Sequence, residues 1–144
     1  MAYCERLSEQ LGVVATIDPI ALTGTVAVSD IFSMALHRRA LFIFQTEAVF
    51  AAATVLIQEN AAQAFTAGTA TLLTGASTTV TAAASQYLYE ISAEALSAGF
   101  TWVRASIAGM TIGDIVSMVV LADVERYHPA SDRDLATVVI QSTA

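Results

Sequence analysis

The alternation of apolar and polar positions changes character at Gly12. Before it, Tyr3, Leu7 and Leu11, with Cys4 beside them, recur at helical spacing, and Glu5, Arg6, Glu9 and Gln10 take the other side. Gly12 supplies a stop. A stripe this short does not hold an isolated helix in water. The segment is therefore expected to be a short amphipathic helix or an extended arm that orders by docking, on its own domain or on a neighbour. We place this arm at residues 1–18 and a single domain at 19–144.

Beyond Gly12 the period shortens to two. Val13–Ile17 is an expected strand, closed by Asp18-Pro19. Thr25–Val28 alternates between Gly24 and Asp30. Ala40–Phe44 is apolar at every position, which suits a strand covered on both faces. Thr54–Gln58 alternates again. The Ala/Thr/Gly/Ser-rich stretch 60–85 admits Thr69–Leu73 and Thr78–Ala82 around Gly75. Gln86–Ile91 sets Gln86, Leu88 and Glu90 against Tyr87, Tyr89 and Ile91. Ser92–Gly99 reads as a helical turn capped by Ser92, with Glu94 in its first turn and Gly99 ending it.

Phe100–Ile107 is the next strand, with Val103, Ala105 and Ile107 on one side and Trp102 and Arg104 on the other. A turn follows at Gly109 to Gly113. Ile115–Val124 is the longest apolar run, and its valines favour strand over helix. A polar loop then leads to a final expected strand at Ala136–Gln141. About eight short strands at regular spacing predict an all-β, single-domain β-sandwich of jelly-roll-like type. No repeat of 20–50 residues supports a solenoid or propeller.

Composition changes the picture in one respect. The chain is 56% hydrophobic and 13% charged, against about 45–50% and about 25% in ordinary domains. Mean hydropathy is +0.63. A membrane span is not expected, because Thr, Ser, Gly and Gln interrupt the uncharged stretch from Asn60 to Tyr89. Strands of membrane-barrel length are too few. The first residues lack the basic and apolar regions of a secretory signal. The excess apolar surface points to self-association or to docking on a larger assembly. The alternative is an Ala- and Val-rich monomer.

Candidate chemistry is sparse. The net charge is −7 and no lysine is present, which argues against nucleic acid as a partner and removes lysine-based catalysis. Cys4 is the single cysteine, so neither an intrachain disulfide nor a cysteine metal site is expected. His37 and His128 are far apart and lie in no metal-binding motif. No Gly-x-Ser-x-Gly elbow occurs. Glu90 with Glu94, and Asp132 with Asp134, read better as solvated charge than as catalytic pairs. We expect no catalytic residue, no metal and no cofactor. The arginines should have fixed partners. Arg104 is expected to pair with a carboxylate such as Glu90, and Arg38-Arg39 with an acidic group in the chain or across an interface.

Five segments resemble the small decoration, or cement, proteins of tailed-phage heads. They are ERLSEQLGVVATIDP, MALHRRALFIF, VLIQEN, LSAGFTWVRASI and ERYHPASDRDL. The 60–85 stretch departs from that pattern in its Ala/Thr content. The resemblance implies a virion structural protein on the outer capsid surface, assembled in the host cytoplasm, that bridges capsomers. Its partners would be the major capsid protein and copies of itself, with a trimer favoured and a dimer possible. Expected partner-contact residues are Tyr3, Leu7 and Leu11 in the arm, Arg38 and Arg39, and Arg126 and Tyr127 in the last segment. Alternatives are a tail or head-fibre component and, from another class, a carbohydrate-binding β-sandwich using Trp102, Tyr87 and Tyr89.

Overall fold

The computed structural model describes residues 11–47, 52–65, 71–80 and 84–123. Through them run β1 (Leu11–Ala21), β2 (Val26–Val28), β3 (Phe32–Ser33), β4 (Arg39–Thr46), β5 (Ala53–Asn60), β6 (Thr71–Val80), β7 (Gln86–Ser92), β8 (Trp102–Ala108) and β9 (Ile115–Asp123). A 3₁₀ turn, Ala93–Ala95, lies between β7 and β8. The strands form two antiparallel sheets, ordered β1-β9-β4-β7 and β2-β8-β5-β6. β3 pairs with β8 on the edge that β2 also uses.

With β2 and β3 taken as one interrupted strand, the chain crosses between sheets at nearly every connection. Only β5 and β6 follow one another within a sheet. This is the strand order of a double-sheet jelly roll. The expected all-β sandwich is the observed fold.

Alternation supplies the core. β4 turns Ala40, Phe42 and Phe44 inward, and β9 turns Val116, Met118, Val120 and Ala122. The second sheet answers with Val103, Ala105 and Ile107 of β8 and Ala53, Val55 and Ile57 of β5. Phe42 meets Phe32 of β3 with ring centroids 6.0 Å apart. Phe44 meets Tyr87 at 6.4 Å. Gly109 and Gly113 both take positive φ, 86° and 100°, as the tight turn from β8 to β9 requires.

Four elements differ from expectation. β1 does not stop at Asp18-Pro19 but runs to Ala21, with register shifts between Val13 and Ala15 and between Ile17 and Ile20. The second shift takes Pro19 out of the ladder, which lets a strand with one described neighbour keep a proline. Residues 11–18, drawn above as part of the arm, are thus sheet residues paired with β9; residues 1–10 lie outside the described residues. β6 is one strand where two were expected, with its ladder to β5 interrupted around Gly75.

The expected helical turn from Ser92 to Gly99 contracts to Ala93–Ala95, and the Ser92 side chain makes no cap bond. Glu59 organises this corner instead, as described below. β3 was not expected, because two residues carry no period. Thr78–Ala82 is described only to Val80, and Ala136–Gln141 lies outside the described residues.

Candidate functional site

Register fixes which outward residues of the first sheet are neighbours. Val13, Leu121, Leu41 and Glu90 form one row across β1, β9, β4 and β7. Thr16, Val119, Ile43 and Leu88 form the next. The row beyond holds Ser117, Gln45 and Gln86. At the opposite end lie Leu11, Asp123, Arg39 and Ser92. Six apolar side chains thus adjoin at the centre of an outward face: Val13, Leu121, Leu41, Val119, Ile43 and Leu88. Leu88 is 67% exposed and Val119 38%; the other four are half-buried.

An outward sheet face is ordinarily polar. The outer face of the second sheet is mixed, with Val26 and Val28 exposed on its edge strand and Thr54, Gln58 and Arg104 nearer its middle. There Arg104 donates from Nε to Gln58 Oε1 at 2.8 Å, and its guanidinium lies 4.8 Å from the centre of the Phe65 ring. Partial loss of water holds this guanidinium below the usual arginine pKa. The expected Arg104–Glu90 pair is not formed, because the two residues belong to different sheets. Glu90 instead accepts from Arg39 at 3.2 Å, with both side chains largely exposed.

The structure gathers three of the expected partner-contact residues at the charged end of the apolar face. Leu11 is 38% exposed and stands opposite Asp123. Asp123 Oδ1 accepts the backbone N–H groups of Arg38 and Arg39 at 2.8 and 3.1 Å. Tyr3, Leu7, Arg126 and Tyr127 lie outside the described residues. Leu41, Ile43, Leu88, Val119 and Leu121 were not singled out from sequence. For Leu41 and Ile43 the signal was present in the apolar run at 40–44, and for Val119 and Leu121 in the stretch 115–124, which only Ser117 and Asp123 interrupt; Leu88 lies in neither.

Two buried polar groups serve the scaffold. Glu59, 1% exposed, accepts from the backbone N–H of Ser97 at 2.9 Å and from its hydroxyl. This ties the β7–β8 connection to β5. His37, 6% exposed, sets Nδ1 against the Asp123 carbonyl. A carbonyl only accepts, so Nδ1 carries the proton, and Nε2 is buried with no hydrogen-bond partner among the described residues.

An apolar cavity of about 50 Å³ lies between the sheets on the β6–β7 side, with Phe42, Phe44, Val55, Ile57 and Val80 in its wall. Among the described residues, no three His, Cys, Asp or Glu side chains are grouped as metal ligands would be. No helix among them is long and apolar enough to cross a membrane. Trp102 is half-buried on the outside of the second sheet, whereas Tyr87 and Tyr89 pack inward from the first. The three aromatics therefore share no face.

The chain matches no family model, and a search of curated proteins found no relative.

Proposed function

We propose that the protein is a non-enzymatic structural component of a virion, a decoration protein that binds the outer surface of a phage head and stabilises it by bridging capsomers. The observation that carries this reading is the outward face of the first sheet. Its six central residues are apolar, and polar or charged groups bound it at both ends. An apolar centre with a polar rim is the anatomy of a protein-binding surface. The resemblance in the five segments quoted above supplies the phage head as the assembly. In this reading the partners are the major capsid protein and other copies of the chain.

The test compares capsids assembled with and without the protein. It is expected to co-purify with the capsids, and its absence to lower their melting temperature. Capsids that fill and survive heat equally well without it would defeat the proposal. A tail or head-fibre position is distinguished by where the protein's density falls in a reconstruction of the particle. The carbohydrate-binding alternative gains no support from the separated positions of Trp102, Tyr87 and Tyr89.

A further inference from the structure

We infer that the outer face of the first sheet pairs two copies of this chain, stacked face to face about a two-fold axis that runs along the strands. The inference deepens the proposal above by placing the contact between copies and giving its symmetry, and it rests on reading that face as an interface rather than on the identity of the shell.

Three observations carry it. First, β4 and β9 are the two central strands of the sheet, and in their middle both carry apolar residues on their two sides. The inner sides are covered by the second sheet. No described strand lies on the outer sides, where Leu41 and Ile43 of β4 adjoin Val119 and Leu121 of β9 between the polar positions Ser117 and Asp123.

Second, the area sets the class of contact. Four strands at about 4.8 Å spacing and some seven residues at about 3.3 Å give a footprint of roughly 450 Å². Two such faces remove roughly 900 Å² from water, the size of a weak, reversible interface. A closed pair is self-complementary by symmetry and needs no other surface.

Third, charge selects the orientation. An in-plane axis across the strands would lay Arg39 and Asp123 on the partner's Gln45 and Ser117, charges against neutral groups. An axis along the strands, between β4 and β9, lays β4 on the partner's β9. Ile43 then meets the partner's Val119, Arg39 stands over the partner's Asp123, and Glu90 comes over the partner's Val13 at the rim. Charges at such a rim fix register and contribute little affinity.

The test is the mass of the full-length protein by sedimentation equilibrium, beside Leu88→Glu, Ile43→Glu and Arg39→Glu. The wild type is expected at the mass of two chains. Leu88 is exposed enough that its replacement leaves the fold intact, checked by an unchanged far-ultraviolet spectrum, and Leu88→Glu should weaken pairing at least tenfold. Ile43→Glu should abolish it. Arg39→Glu should weaken it severalfold, more at low salt than at high.

A monomeric or trimeric wild type, or a dimer indifferent to Leu88→Glu and Ile43→Glu, would overturn the inference. A dimer indifferent only to Arg39→Glu would overturn the orientation. Capsid binding, scored separately, keeps the two claims apart. A monomer that loses capsid binding on Leu88→Glu defeats the pair and leaves the decoration reading standing, while a dimer without capsid affinity does the reverse.

Discussion

Ile43 and Val119 stand directly opposite one another on the two central strands of the first sheet, on the side turned away from the core. If a second copy covers them, unfolding is linked to dissociation, and the melting temperature rises with protein concentration. Ile43→Thr keeps a β-branched side chain and removes the apolar contact. Scanning calorimetry over a hundredfold concentration range should find a rising transition for the wild type and a flat one for Ile43→Thr.

The two sides of the first sheet should respond differently to truncation. Phe42 is 1% exposed and packs on Phe32; Phe42→Ala should cost about 3–5 kcal/mol. Leu88→Ala, measured by urea unfolding at concentrations where single chains dominate, should stay within about 0.5 kcal/mol of wild type. A large loss at Leu88 would mean that the outward face supports the single chain itself.

Asp123 joins the end of β9 to the corner before β4 through two N–H groups at 2.8 and 3.1 Å. Charge-assisted bonds of this kind, discounted for solvent exposure, are worth about 1–2 kcal/mol together. Asp123→Ala should lose that amount and speed amide exchange at Arg38 and Arg39. Asp123→Asn retains an acceptor oxygen and should lose less.

Glu59 is a buried carboxylate whose partners among the described residues are both on Ser97. Glu59→Ala should cost about 2–3 kcal/mol, because it leaves two donors unpaired and a void beside them. Amide exchange at Ser97 should accelerate more than at Val103, which lies in the β8 ladder. Glu59→Gln should fall between the two, since one acceptor remains.

Much of this architecture was legible in the sequence, for identifiable reasons. The alternation of Tyr87, Tyr89 and Ile91 against Gln86, Leu88 and Glu90 is the inside and outside of β7. The same holds for Val103, Ala105 and Ile107 in β8. What escaped was non-local. Pro19 reads as a strand end until a register shift removes it from the ladder. Gly75 reads as a turn until β5 is beside it. Arg104 and Glu90 are plausible partners until topology assigns them to opposite sheets.

The apolar face was half legible. The run at 40–44 predicted cover on both sides, but only register with β9 and β7 brings Leu41 and Ile43 beside Val119, Leu121 and Leu88. Of the expected contact residues, Leu11, Arg38 and Arg39 gather at the end of that face, a convergence that their separation along the chain concealed.

Leu88 and Ile112 provide the most direct check, because they are equally exposed in the single chain, 67% and 68%. Leu88 lies on the apolar face, and Ile112 in the turn between β8 and β9. Hydroxyl-radical footprinting of the purified native protein should label Ile112 freely and leave Leu88 strongly protected, with protection lost in Ile43→Glu. Equal labelling of the two residues in the wild type would contradict the claim that a second copy covers this face.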